Sequence, residues 1–152
     1  MRPDIRDAVL EDLPEIIEMV RVSTASALPS LSFDPEVTHD VVEAGILDQN
    51  TLVAVAEDDE GLCGYVIGVI NLCWFGNDRV ASDWMVYAEN RAKGWLGYRL
   101  LSRFVDWAKE NDARLINTLN LSGIPDDGFC RGLERLGYKR AGSLIQNVIE
   151  GD

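Results

Sequence analysis

The sequence predicts a mixed α/β (α+β) fold around a largely antiparallel sheet, on three observations. Apolar residues recur at helical spacing in some stretches and form unbroken β-branched runs in others. Two of those runs are separated only by an acidic turn, which indicates a hairpin. The 152 residues, 47% hydrophobic and 26% charged, match one compact domain with a core large enough to fold unaided.

Residues 4–9 read as a short strand. Asp12, Pro14 and Glu15 then supply an N-cap, an early-turn proline and a reciprocal capping carboxylate. Leu13, Ile16, Ile17 and Val20 follow at helical spacing, so the first helix is expected over residues 12–26. Asp34 and Pro35 repeat the helix-start chemistry, with Val37, Val41, Val42 and Leu47 as the apolar stripe. Residues 51–57 and 62–75 form the hairpin about the turn at 58–61, and residues 79–87 add a third antiparallel strand. Leu96, Leu100, Leu101, Phe104, Val105 and Ala108 mark the next helix. Residues 114–121 read as a strand, and Asp126 or Asp127 starts a helix that uses Phe129, Leu133 and Leu136 and closes on Gly137 as a left-handed cap. A strand over residues 138–150 completes the order β, α, α, β, β, β, α, β, α, β, with residues 1–152 as a single domain free of repeats and linkers.

Charge is divided unevenly. Residues 1–60 hold 15 acidic residues against Arg2, Arg6 and Arg21, whereas residues 61–152 hold 11 of each sign. Within the second part, Arg91, Lys93, Arg99 and Arg103 lie in a stretch without acids, a place where an anion could bind or a helix face could simply be solvated. A chain with pI near 4.4 lacks the basic face that nucleic-acid binding requires. No apolar run is long enough to span a bilayer, and the first residues do not resemble a signal peptide. Cys63, Cys73 and Cys130 show no CxxC spacing and His39 is the only histidine, so neither a disulfide framework nor a metal site is expected. A reducing cytoplasm is the expected location.

Residues 5–16, 83–101 and 133–142, together with the element order, resemble the GCN5-related N-acetyltransferases, in the group of small bacterial and phage members, and the resemblance runs from end to end. It implies that family's acyl-CoA N-acyltransferase fold, with a mixed, mostly antiparallel sheet of six to seven strands flanked by about four helices. It also implies acetyl-CoA as cosubstrate, no metal, a small-molecule amine as acceptor, and frequent homodimers. The most specific part is the pyrophosphate loop, whose family pattern is Arg or Gln, two residues, Gly, one residue, then Gly or Ala. Here it reads Arg91, Ala92, Lys93, Gly94, Trp95, Leu96, Gly97, running on into Tyr98. Leu96 stands where a small residue is usual and Gly97 follows one position late. Aligning on Gly97 instead places Ala92 at the arginine position. The physical logic is independent of the register: a helix N-terminus offers unpaired N–H groups with partial positive charge, and glycine lets the backbone approach a diphosphate. A Walker-type site is not expected, because the loop has no Gly-Lys-Ser or Gly-Lys-Thr.

An alkylamine with a pKa of about 10 must lose a proton before attacking a thioester, so a base is needed. Asp83, an ionisable residue in an otherwise apolar strand, is the candidate, set against the alternative that it pairs with Arg79 as a structural carboxylate. Strand alternation would place it on the same face as Met85. Glu43 and Glu89 are weaker candidates. The resemblance implies that backbone around Met85, Val86 and Tyr87 binds the pantetheine arm and polarises the acetyl carbonyl. The family's acidic tyrosine corresponds to Leu133 here, which leaves Tyr87, Tyr98, Ser122 or water for that role. Trp74, Trp84 and Trp107 are expected in packing, with Trp95 able to touch CoA. Because the first strand and two helices commonly line the acceptor site, their acidity implies a cationic acceptor. A catalytically impaired acyl-CoA-binding module and an interaction domain of the same fold are the alternatives.

Overall fold

A side-chain cap from Asp34 starts one helix, and apolar runs buried on both faces form the central strands. The computed structural model describes residues 2–92, 95–119 and 131–150. Its elements are β1 (Asp4–Asp7), α1 (Leu13–Ala27), α2 (Pro35–Leu47), β2 (Thr51–Asp58), β3 (Gly61–Leu72), β4 (Arg79–Ala88), α3 (Leu96–Glu110) and β5 (Leu115–Asn117). Residues 131–134 are also helical. The sheet has the order β1-β2-β3-β4-β5, antiparallel through β4, with β5 parallel to β4. No described helix is long and apolar enough to cross a membrane.

The sheet separates two packed layers. Leu100, Leu101, Phe104 and Trp107 of α3 meet Ala54, Ala56, Cys63, Val66 and Ala81 on one face. Ile16 and Met19 of α1 and Val42 of α2 meet Val53, Val55, Tyr65 and Ile67 on the other. Covered on both faces, β2 and β3 read as continuous apolar runs rather than as alternating strands. At Gly68 a Cβ would lie 2.3 Å from Phe104 Cε2, so the absence of a side chain there lets α3 approach.

The caps divide. Asp34 Oδ1 accepts from the amides of Glu36 at 2.9 Å and Val37 at 3.0 Å, as expected for the N-cap of α2. Asp12 does not cap α1: its carboxylate accepts from the Val9 amide at 2.8 Å and from both terminal nitrogens of Arg6, at 2.8 and 3.0 Å. The bidentate, charge-assisted pair outcompetes a neutral amide. Glu15, expected to reach back within its own helix, instead accepts from the Leu62 amide at 3.0 Å and ties α1 to the hairpin.

Three further expectations are corrected. The described sheet has five strands, not six or seven. Residues 138–150 form no strand, and Leu144, Ile145, Val148 and Ile149 are exposed, because β propensity confers no ladder without a partner. Alternation also breaks within β4. Ile67 pairs with Met85 and Gly68 with Asp83, so Trp84 is an extra, bulged residue. Asp83 therefore shares the α3 side with Ala81, while Met85 and Tyr87 pack with the α1–α2 side.

Candidate active site

The parallel pairing of β4 with β5 lasts for three rungs, Val80 with Leu115, Ala81 with Ile116 and Ser82 with Asn117. Asp83 and Thr118 are the next residues on the two strands, and they stand where the ladder opens. From Asp83 to Ala88, β4 pairs with β3 on one side and has no strand partner on the other among the described residues. This fork leaves main-chain donors and acceptors of β4 available to a ligand.

Asp83 Oδ1 is fully enclosed and has no hydrogen-bond partner among the described residues. Burial pushes its carboxyl up to about 6, with hydrogen bonding to Thr118 and to the backbone of Asp83 and Leu119 offsetting part of the shift. Arg79, the alternative structural partner, is engaged elsewhere: its Nε donates to the Asn111 carbonyl at 2.8 Å and a terminal nitrogen to Asn50 at 3.1 Å. The Thr118 hydroxyl lies 3.2 Å from the Tyr138 hydroxyl. Burial pushes Tyr138 up to about 12, opposed by Thr118 and reinforced by the charge of Asp83.

Local backbone chemistry puts Tyr138 there. Gly137 has φ of 91°, which permits the Tyr138 amide to bond the Leu133 carbonyl at 3.1 Å and the Gly137 amide to bond Glu134 at 3.0 Å. That is a Schellman cap, and it folds Tyr138 back over Leu133. Leu133 itself is buried in the α3-side core. Thr118 and Tyr138 were not singled out from sequence, although Gly137 as a helix cap was, and the residue after such a cap is turned back toward the helix.

Tyr87 is not brought together with Asp83. It faces the other side of the sheet, its ring 5.9 Å from that of Tyr65, whose hydroxyl is 2.6 Å from Ser23 Oγ. Met85 lies on that same side and Val86 on the α3 side.

At the far end of β4, α3 starts at Leu96 with Trp95 as N-cap, and no side chain caps it. Its first amides are therefore free of a protein cap among the described residues. Lys93 and Gly94 lie outside the described residues, as do Ser122 and Cys130. Leu96 is a core residue, and a Cβ on Gly64 would meet its Cδ2 at 3.3 Å, which accounts for a leucine where a small residue was expected. A side chain at Gly97 would meet nothing within 4 Å among the described residues, so their packing does not require glycine there. A cavity of about 720 Å³ opens beside this turn, lined by Arg2, Arg91, Ala92, Trp95, Tyr98, Arg99 and Arg135 among others. Tyr98 meets Trp95 edge to face at 5.7 Å, and the Arg135 guanidinium lies 5.6 Å over the Trp95 ring.

Arg91 lines the cavity, but its guanidinium is committed to Asp58, to Glu60 and Glu89 at 2.9 Å each, and to the Leu62 carbonyl at 3.1 Å. It ties the β2–β3 turn to the loop. Arg103 is held by Asp7 at 3.0 Å, which leaves Arg2, Arg99 and Arg135 as the cations facing the cavity without a carboxylate partner among the described residues. Trp107 is buried as expected, whereas Trp74 and Trp84 are exposed, contrary to their expected packing role, and Trp95 is exposed beside the cavity.

No family model matches the sequence, and no curated protein sequence matches it. Solved structures do. The glucosamine-6-phosphate N-acetyltransferase of Arabidopsis thaliana superposes with a TM-score of 0.77 at 14% identity, covering 99% of this chain and 100% of that one. A transcriptional regulator from Bacillus halodurans C-125 gives 0.75 at 20% identity, covering 95% and 98%. A predicted acetyltransferase from Clostridium acetobutylicum, determined with acetyl-CoA, gives 0.72 at 12% identity, covering 95% of each. The chain has the fold of the GCN5-related acetyltransferases, over nearly its whole length, with fewer strands described than expected.

Proposed function

We propose that the chain is an acetyl-CoA-dependent N-acetyltransferase that acts on a small cationic primary amine by direct attack within a ternary complex. The observation that carries this reading is the fork between β4 and β5, with the buried carboxyl of Asp83 at its apex. The free edge at Met85, Val86 and Tyr87 fits the amide groups of a pantetheine arm, and a β4 amide aimed at the acetyl oxygen would stabilise the charge that develops there. The uncapped start of α3, with Arg99 and Arg135 nearby, fits a diphosphate and an attached nucleotide. Arg91 serves in this reading by anchoring the loop, and Tyr98 and Trp95 by walling the cavity.

Asp83 takes the catalytic role of base. At neutral pH a carboxyl with a pKa of about 6 is ionised, and once the acceptor has lost its ammonium proton to solvent, the unpartnered oxygen can accept the second proton that the attacking nitrogen sheds as the N–C bond forms. Acceptor charge is read from what the acidic N-terminal part leaves unspent. Asp12 and Glu57 are bound to Arg6, Asp7 to Arg103, and Asp58 and Glu60 to Arg91. Glu36, Asp40 and Glu43 recur on one stripe of α2, with no arginine or lysine partner among the described residues and with His39 3.2 Å from Asp40 and 3.8 Å from Glu43, and there they favour a cation.

The test is a CoA-release assay across polyamines, lysine-like amines, aminoglycosides and anionic amino acids, paired with calorimetric titration of acetyl-CoA and dephospho-CoA. Turnover of cationic acceptors is expected, and exclusive turnover of anionic ones rejects the acceptor class. Binding without any turnover supports the impaired acyl-CoA-binding alternative, which Leu133 in the tyrosine position favours. Absence of binding supports an interaction domain.

A further inference from the structure

We propose that Trp84 is the platform on which a second positive charge of the acceptor rests, so that the preferred substrates are diamines and polyamines rather than monoamines. Trp84 is the only exposed residue among the 10 of β4, and it is the bulged one, set between Asp83 and Met85 without a partner on β3. A bulge re-aims a side chain and is a common device beside a reaction centre. This one lies past the last rung to β5, on the stretch of β4 whose outer edge has no strand partner among the described residues. The other tryptophans each meet a ring or a cation, Trp74 with Phe75, Trp95 with Tyr98 and Arg135, and Trp107 with Phe104, whereas Trp84 meets neither among the described residues. Its side of the strand leaves it 48% exposed. Holding so large an apolar ring half in water forgoes burial that a ligand can recover.

The inference rests on the transferase reading and narrows its substrate class. The face of an indole carries negative potential and attracts an ammonium group more strongly than the ring of phenylalanine or tyrosine does. That attraction favours the charged form of whatever nitrogen it holds. The attacking nitrogen must lose its charge, so an indole that held it would oppose the reaction; the ring suits a nitrogen that stays protonated. Neighbouring strand residues are about 3.3 Å apart along the chain, so a spacer of a few methylenes carries one nitrogen to the Asp83 carboxyl and the other to the Trp84 ring. The methylenes themselves cover apolar indole surface. A monoamine has no charge to place there. The acidic stripe of α2 raises the local concentration of any cation, whereas the indole selects for where the second charge sits.

The experiment follows the indole signals of the full chain in proton–nitrogen correlation spectra while putrescine or pentylamine is added in the presence of CoA, which has no acyl group to transfer. The Trp84 signal is assigned by its loss in Trp84→Phe. Putrescine should move that signal, and pentylamine, similar in length with a single charge, should leave it in place. In CoA-release kinetics with acetyl-CoA and the best diamine found, Trp84→Leu should raise KM for the amine about fivefold and Trp84→Phe about twofold, with kcat and KM for acetyl-CoA each within about twofold of the parent. The KM of any monoamine acceptor should be unchanged in both variants. Equal shifts with the two amines, or an equal rise in KM for diamine and monoamine in Trp84→Leu, would show apolar contact alone and overturn the charge platform. An unmoved Trp84 signal in a chain that turns over amines overturns the inference and leaves the transferase reading standing. A shift specific to putrescine in a chain without turnover supports the diamine site and overturns the transferase reading, and a chain with neither overturns both.

Discussion

An enclosed carboxylate oxygen without a hydrogen-bond partner destabilises the fold that contains it, and Asp83 should betray itself by that penalty. Its native pKa of about 6 exceeds the unfolded value of about 3.9, so the folded chain holds the proton more tightly between those limits. The stability linked to that proton is fully present below about pH 4 and is lost as pH rises through about 6. Asp83→Asn should therefore raise the unfolding free energy at pH 8 by up to about 3 kcal/mol, with the advantage vanishing near pH 4; calorimetry at the two pH values decides, and a pH-independent difference removes Asp83 as the titrating group. The same substitution should lower kcat about a hundredfold or more, and the wild-type rate should decline as pH falls through about 6. Asp83 was legible because an ionisable residue interrupts an apolar run. Thr118 and Tyr138 were not, since the one is selected by where a ladder stops and the other by a cap that turns the chain back.

Pattern reading succeeded at the level of elements wherever the deciding partner is close in sequence. Asp34 caps α2 because no cation claims it among the described residues, whereas Asp12 is claimed by Arg6 from the neighbouring strand, a contact that helix-start rules do not contain. Counting by twos along β4 fails at the bulged Trp84, and the segment after Tyr138 has strand-like residues but no described rail to lie against. Two glycines test the geometry that results. Gly68→Ala would push against Phe104, 2.3 Å away, and should destabilise the fold by about 1–3 kcal/mol in a denaturant titration. Gly137→Ala forces a side chain into φ of 91° and should lose about 1 kcal/mol or more.

For the molecule as a whole, the division of charge was legible and its disposition was not. Much of the N-terminal acidity is spent on Arg6, Arg91 and Arg103, which a count along the chain cannot reveal. What remains on α2 predicts that KM for a cationic acceptor rises several-fold between about 50 and 300 mM salt, as screening shortens the field, with kcat nearly constant. A salt-independent KM would show that this face takes no part in recognition.

The brief parallel ladder has a mechanical consequence. With only three rungs joining β5 to β4, the remaining rim of β4 is backbone that the chain itself does not finish. A cofactor lying along that rim would act as a splint, so a non-hydrolysable analogue should slow hydrogen–deuterium exchange at residues 83–88 while leaving the interior of β2, already sandwiched between neighbours, at its resting rate.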